Sequence, residues 1–219
     1  VNDLQILVLA KAPTPGRVKT RLCPPCTPAQ AARIAAAALA DTLDTVSATA
    51  AGTRTLVLDG THPTPAGWVT HPQRGALLGD RLAHAFTSTR RLGTPTLLVG
   101  MDTPQLRTEH LDAARELLGA TGGPDAVLGP ATDGGWWTLG LRDPHHATVL
   151  RTIATSTTTT GRHTLDALRR RGLRVHLMPE LTDVDTAADA HTVAALCLPG
   201  SRFARTVATE MPRPAAVTR

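Results

Sequence analysis

The stretch LQILVLAKAPTPGRVKTRL, residues 4–22, decides the fold class. Its first part, Leu4 to Ala10, is apolar apart from Gln5 and is far too short for the ~18 residues that a bilayer span needs. Such a run reads as a strand covered on both faces, the pattern of a parallel sheet. Pro13, Pro15 and Gly16 then stop any regular element, and Lys11, Arg17, Lys19 and Arg21 add four cations within eleven residues. Glycine after a strand lets the backbone approach a ligand, and cations at alternate positions suit phosphate oxygens. The spacing GxxxxGK[ST] is absent, so this is not a Walker phosphate loop. An ordinary basic surface loop would have the same composition.

Outward from this stretch the pattern alternates. Ala29 to about Ala51 carries Ile34, Leu39, Leu43 and Val46 at helical spacing, and Arg54 to Asp59 reads as a second strand. Pro and Gly break the chain from Gly60 to Gly79, with a short strand near Trp68 and Val69. Asp80 to Leu92 reads as a helix, Thr96 to Met101 as a third core strand, and Glu109 to Leu118 as a helix. Strands follow from Ala126 and at Trp136 to Leu141. After a Thr-rich loop at 155–160 come a helix from Arg162 to Arg171, a strand from Arg174 to Met178 and a helix from Ala187 to Leu196. Alternating strands and helices predict an α/β protein with a three-layer, mostly parallel sheet. The expected organisation is one domain over residues 1–197 and a C-terminal tail over 198–219, weakly periodic and partly ordered.

Composition narrows the function. The 219 residues are 42% hydrophobic and 19% charged, a globular balance. Aromatics are 2% with no Tyr, so the core must be built from Leu, Val, Ile and Ala. A net charge of +5 admits nucleic acid as a partner, but no stacking platform or DNA-binding motif accompanies it. No membrane span and no basic-then-apolar leader stand out, and the expected compartment is the cytoplasm. Cys23 and Cys26 form CPPC without a second pair or a thioredoxin-like context, and read as loop thiols. Arg169 to Arg171 read as the solvated last turn of a helix. His145 and His146 lack zinc spacing, and no serine sits in a GxSxG elbow.

In open α/β sheets ligands bind at the carboxyl ends of strands, and three further loaded segments fall there. Asp102, after the third core strand, is placed to bind Mg²⁺ or Mn²⁺, which need only one or two protein carboxylates on a phosphate-bound ion. It could equally cap the following helix. Asp133-Gly134-Gly135 is a turn signal before Trp136 and Trp137, which read as an acceptor wall or, for at least one of them, a packing plug. Asp183 and Asp185 lie two apart, so on extended backbone they point the same way and can share a cation. Asp185 or Thr186 can also cap the last helix.

Taken in order, LVLAKAPTPGRVKTRL (7–22), GALLGDRL (75–82), LLVGMDTP (97–104), LGPATDGGWWTLGL (128–141) and DVDTAAD (183–189) resemble the blocks of a bacterial family with the glycosyltransferase-A fold. Its members are often named glycosyltransferases of arsenosugar-type pathways. It is distantly similar to molybdenum-cofactor guanylyltransferase and 2-phospholactate guanylyltransferase. The resemblance runs from Leu4 to Leu196 and implies a nucleotide-diphospho-sugar transferase fold. It implies that Leu9, Ala10 and Lys11 line the nucleobase, that Gly16, Arg17, Lys19 and Arg21 meet the phosphates, and that the Gly75 to Gly79 loop closes over the nucleoside. Asp102, Asp185 and Asp183 would hold the metal. Asp133, Gly134, Gly135, Trp136 and Trp137 would border the acceptor. Two departures touch the acceptor end: Trp136 and Trp137 stand where the family has Tyr, and the Trp it has near Ala154 to Thr157 is missing.

The function so implied is a metal-dependent, nucleotide-using transferase, with Lys19, Asp102 and Asp133 as its catalytic residues. The first reading is nucleotidyl transfer from a nucleoside triphosphate to a small phosphorylated or acidic acceptor. Glycosyl transfer from a nucleotide sugar and a non-catalytic nucleotide-binding role are the alternatives.

Overall fold

A computed structural model describes residues 4–211. The opening apolar run is strand β1, Gln5–Lys11. Its alternation separates the two faces of the sheet. Ile6, Val8 and Ala10 join one core cluster, whereas Leu7 and Leu9 pack with another. Helix α1, Pro28–Ala48, starts where Thr27 and Gln30 form a reciprocal capping box and Pro28 occupies the first turn. It returns the chain to β2, Thr53–Asp59, which pairs parallel to β1. Strand β3, Val69–Pro72, adds in parallel outside β2. Helix α2, Leu78–Ser88, then carries the chain back to β4, Thr96–Gly100, on the other side of β1.

Helix α3, Thr108–Gly119, leads to β5, Ala126–Pro130, and a tight turn leads to β6, Trp136–Leu141. Strand β6 lies between β4 and β5 and is antiparallel to both. The turn depends on Gly134, whose φ of +87° is costly for a side-chain-bearing residue. A Cβ there would also stand 2.0 Å from the Thr158 carbonyl oxygen. A 3₁₀ helix, Pro144–Thr152, and helix α4, Thr160–Arg170, follow. Strand β7, Val175–Leu177, closes the sheet in parallel with β5. The strand order is β3-β2-β1-β4-β6-β5-β7, a mostly parallel three-layer arrangement as the alternation predicts.

Leu39, Leu43 and Val46 of α1 and Leu111, Ala114 and Leu118 of α3 cover one face of the sheet. Leu82 and Phe86 of α2, Val149 and Leu150 of the 3₁₀ helix and Leu168 of α4 cover the other. Helix α5, Ala187–Leu196, and helix α6, Arg202–Glu210, pack on the outer side of α1.

Two elements were not read from the sequence. The segment around His145 and His146 is the 3₁₀ helix, held against α2, where Gly79 lies so close that an added Cβ would meet the Leu150 carbonyl at 2.3 Å. The ordered chain also runs past residue 197. Ser201 caps α6, Asp41 accepts from the Ser201 hydroxyl and from the Phe203 backbone, and Phe203 and Val207 are buried against α1. This i, i+4 pair is the whole apolar stripe of α6, too little to stand out from a polar tail. The last residues of the expected tail, 212–219, lie outside the described residues. Among the described residues, no helix is long and apolar enough to cross a membrane.

Candidate functional site

The chain builds outward from β1 through β2 to β3, then reverses and places β4 on the opposite side of β1. Such a reversal opens a crevice at the carboxyl ends of the two strands. Two adjoining clefts lie there. Leu9 of β1, Gly100 of β4, Arg21, Leu78, Asp102 and Asp185 line both. Their volumes, about 390 and 440 Å³, fall within the ~300–1,000 Å³ of small-molecule sites.

The first cleft is cationic. Lys11, Arg17, Lys19, Arg21 and Arg81 line it, together with Ala10, Asp59 and Gln73. The second is acidic and hydroxylated. Asp102, Asp133, Asp183 and Asp185 face it with Thr103, Thr155, Ser156, Thr157, Thr158 and Thr160, and Arg21 is its one cation among the described residues. The Thr-rich loop reaches this place because Gly161 donates its N–H to the Gly134 carbonyl, tying the start of α4 to the β5–β6 turn.

Lys19 sits on the boundary. Its Nζ is 2.6 Å from Asp102 Oδ1 and 3.7 Å from Asp185 Oδ1, and it donates to the Val184 carbonyl. The Lys19 side chain is 6% exposed, whereas that of Asp102 is 44% exposed. The cation is therefore enclosed while the carboxylate faces the cleft. Lys19 holds a left-handed backbone, φ 49° and ψ 40°, which costs a non-glycine residue roughly 1 kcal/mol or more. That conformation puts the side chain across the sheet edge rather than into solvent. Arg21 Nη1 reaches Asp185 Oδ2 at 2.7 Å, and the Val184 N–H donates to the Asp102 carbonyl at 2.9 Å. The loop after β1, the end of β4 and the segment before α5 thus form one knot.

Asp183 is held in the second cleft with its pKa pushed up to about 7. Burial is the main cause, and the charges of Asp102, Asp133 and Asp185 add to it, while Lys19 opposes them. A surplus of carboxylates beside a cationic cleft is a setting that a hard divalent cation neutralises, and an all-oxygen donor set suits Mg²⁺ or Mn²⁺. Asp102, Asp183 and Asp185 fit that role by chemistry. As they stand, no group of three or more His, Cys, Asp or Glu side chains among the described residues is gathered tightly enough to share an ion. The Lys19 ammonium lies between Asp102 and Asp185 instead.

The remaining candidates divide. Leu9, Ala10, Lys11, Arg17, Lys19 and Arg21 line the first cleft, whereas Gly16, Gly75 and Gly79 line neither. Gly16 has φ +76° with nothing near its Cβ position, so it serves the turn. Gly75, at φ +132°, lies against the first turn of α2, and Gly79 is the contact of α2 with the 3₁₀ helix. Gly135 lines the second cleft but Gly134 does not. Asp133 accepts from the Gly135 N–H at 2.7 Å, which fixes one carboxylate oxygen in the turn. Trp136 is half-buried at the cleft. Trp137 is buried, with Nε1 donating to the Pro179 carbonyl, and is the plug of the pair.

Asp102 does not cap α3, whose N-cap is Arg107, and the cap of α5 is Thr186 with Asp189, so the Asp185 side chain is turned to Arg21 and Lys19 instead. Cys26 is buried in the apolar cluster beside α1, and burial pushes its thiol pKa up, as fits a structural thiol. Asp59, Gln73, Arg81 and Thr103 escaped the sequence reading. Only Asp59 carried a signal, as a carboxylate ending a strand.

This sheet order, with its crevice between β1 and β4, is the nucleotide-diphospho-sugar transferase fold. A protein of Desulfovibrio desulfuricans described as a nucleotide-diphospho-sugar transferase superposes with a TM-score of 0.81 at 24% identity, covering 97% of this chain and 100% of that one. The chain belongs to the bacterial family DUF2064, described as "uncharacterized protein conserved in bacteria", whose model matches residues 32–157. CMP:2-keto-3-deoxy-manno-octonic acid synthetase, complexed with CTP, shares the fold at a TM-score of 0.55 and 12% identity, over 89% of this chain and 98% of that one. Rv0371c of Mycobacterium tuberculosis, in complex with manganese, does so at 0.51 and 16%, over 87% and 97%. No curated protein matches the sequence.

Proposed function

We propose that the protein is a metal-dependent, nucleotide-using transferase whose first cleft holds the donor nucleotide and whose second holds the acceptor. The observation that carries this reading is the line of Arg17, Lys19 and Arg21 in one cleft, ending at the carboxylates Asp102 and Asp185 where the clefts meet, with Asp183 in the second cleft. A triphosphate laid along these cations would bring its α-phosphorus to the boundary. In nucleotidyl transfer an acceptor oxygen attacks that phosphorus, a new P–O bond forms and pyrophosphate leaves. Arg17, Lys19 and Arg21 would hold the phosphates in line, so the chain contributes chiefly positioning and charge stabilisation. A divalent ion on Asp102, Asp183 and Asp185 would supply further neutralisation of the phosphate charge.

Manganese in Rv0371c and CTP in the synthetase support a cation and a nucleotide on this fold, though neither protein is close enough in sequence to lend its own substrate.

The acceptor expected from sequence was phosphorylated or acidic. The second cleft argues for a neutral, hydroxylated one, because four carboxylates and a single arginine disfavour an anion while threonines and a half-buried Trp136 suit a sugar-like face. The same lining favours glycosyl transfer as the second reading. There an acceptor hydroxyl attacks the anomeric carbon of a nucleotide sugar, the carbon–oxygen bond to the nucleoside diphosphate breaks and the diphosphate leaves, and the oxygen of Asp133 not held by Gly135 takes the hydroxyl proton.

A thermal-shift comparison of nucleoside triphosphates with nucleotide sugars, each with Mn²⁺, separates the readings. A ligand at ~100 times its Kd adds ~2.7 kcal/mol. Metal-dependent stabilisation by a triphosphate supports nucleotidyl transfer, and stabilisation by a nucleotide sugar alone moves the assignment to glycosyl transfer. Nucleotide binding without turnover of any donor would leave the accessory role.

A further inference from the structure

Between the cationic loop and α1 the chain makes a sharp turn that carries the CPPC sequence, Cys23 to Cys26, and the transferase reading does not use it. The Cys26 N–H donates to the Leu22 carbonyl at 2.8 Å and closes the turn. With standard backbone dimensions, that bond holds the Cα atoms of Cys23 and Cys26 within roughly 7 Å, the limit for bridging two cysteines. Pro24 and Pro25 fix φ at both residues between them, so a bond across the turn costs little chain entropy. Both cysteines are free thiols, and both pack in the apolar cluster of α1, α5 and α6.

Access divides the pair. Cys26 is buried, and burial pushes its thiol pKa up, with Cys23 and Glu210 adding to the effect. It is a poor nucleophile towards a reagent in solution. Cys23 is half-buried. A reagent therefore meets Cys23 first, and Cys26 resolves the product from inside. The third thiol, Cys197, ends α5 beside Ser201 and Asp41.

Cys23 is also tied to the cationic loop. Its N–H donates to the Thr20 carbonyl at 3.1 Å, and the Leu22 N–H donates to the Lys19 carbonyl at 3.0 Å. These bonds hold a 3₁₀ turn, Thr20–Leu22, that carries Arg21 and follows the left-handed Lys19. Lys19, Thr20 and Arg21 all line the first cleft. An S–S bond is ~2.05 Å long, well inside the contact distance of two free thiols, so forming it draws the sulfurs together. Cys26 is packed and leads straight into the Thr27 cap of α1, so Cys23 is the partner that gives way. Its movement strains the bond to Thr20, and with it the seat of Arg21.

We infer that Cys23 and Cys26 form a thiol–disulfide switch on the cationic loop: a small disulfide oxidises the pair to one intramolecular bond, and the oxidised chain holds a nucleoside triphosphate less tightly. The effect on the triphosphate rests on the nucleotide reading above. In the first step the Cys23 thiolate attacks one sulfur of the reagent, a mixed disulfide forms and one reagent thiolate leaves. In the second, Cys26 gives its proton to solvent, its sulfur attacks the Cys23 sulfur and the other reagent thiolate leaves. The pair loses two protons and two electrons, and the reagent takes them up as two thiols.

The test treats the full chain with oxidised glutathione and reverses it with dithiothreitol, which is then removed. Peptide masses should show the Cys23–Cys26 peptide lighter by two hydrogens and free of glutathione. Titration calorimetry of a non-hydrolysable triphosphate analogue, with Mn²⁺, should show the oxidised chain binding about 10-fold more weakly than the reduced one, the value of one charge-assisted contact. Dithiothreitol should restore both. Cys26→Ala should stop at a mixed disulfide on Cys23. Cys23→Ser changes only the half-buried member, and should leave Cys26 unmodified and triphosphate affinity unchanged by the oxidant. Two free thiols after treatment, or a glutathione retained on each, overturns the pair. An internal disulfide with undiminished affinity overturns the switch. Reduced protein that binds no triphosphate overturns the nucleotide reading, and the switch falls with it.

Discussion

The two clefts share six lining residues yet have opposite chemistry, cationic on the β1–β2 side and carboxylate-rich on the β4–β6 side. The sheet produces the difference. On the first side, the loop after β1 supplies Arg17, Lys19 and Arg21. On the second, three unrelated segments converge: the end of β4, the β5–β6 turn, and the stretch before α5. Lys19 is the hinge of the contrast, since it belongs by sequence to the cationic loop but makes its contacts with Asp102, Asp185 and the Val184 carbonyl. On the proposed function, the division of charge across one lysine would attract a polyanionic donor without repelling the acceptor.

The largest expected effect tests the surplus of negative charge in the second cleft. The folded pKa of Asp183 is raised from 3.8 to about 7. The unfolded chain therefore releases this proton first as pH rises, and stability falls between about pH 4 and pH 7. Below this window the group contributes nothing; above it the full penalty applies, of order 2–4 kcal/mol. In chelator-treated protein at pH 8, Asp183→Asn should raise the melting temperature by roughly 5 °C or more, and the gain should vanish near pH 4. A variant no more stable than wild type at pH 8 breaks the description of this cleft as overcharged.

Next comes the hinge itself. Lys19→Ala should weaken triphosphate binding by about 10- to 100-fold, the value of a charge-assisted contact, with a smaller effect on the free nucleoside. Equal losses for both would mean that Lys19 shapes the cleft rather than meeting phosphate.

Gly79→Ala probes the wall common to both clefts, because Leu78 lines each and Gly79 seats α2 on the 3₁₀ helix. A Cβ 2.3 Å from the Leu150 carbonyl should cost about 1–3 kcal/mol in a denaturant titration. An unchanged midpoint would mean that α2 is free to shift. The smallest effect should come from Trp136→Ala, which should raise the acceptor KM by about 10-fold and leave donor affinity within twofold. A fall in donor affinity instead would erase the division between the clefts.

Legibility in the sequence followed the same division. The core strand of β1 was readable because burial on both faces leaves a continuous apolar run. Asp102, Asp183 and Asp185 were readable because strand ends and helix starts are marked by local pattern. The partner of Lys19 was not, since the Val184 carbonyl lies 165 residues away and nothing local encodes a left-handed lysine. Gln73 was hidden in a Pro- and Gly-broken stretch, where an amide looks like any polar loop residue until two carbonyls, those of Ala10 and Val57, lock it. The glycines differ for a related reason. Gly16 was read as letting the backbone approach a ligand and Gly75 to Gly79 as a loop over the nucleoside, and what the fold shows of them is turn geometry and close packing of α2.

The central claim is that a metal-bound nucleoside triphosphate lies along the cationic cleft with its phosphates at the Asp102 boundary. Titration calorimetry of a non-hydrolysable triphosphate analogue, with Mn²⁺, into wild type and Asp102→Ala tests it most directly. The account predicts metal-dependent binding by wild type and a loss of about 100-fold or more in the variant, measured at a temperature where both proteins are folded. Equal binding by the two proteins, or binding indifferent to Mn²⁺, would contradict it.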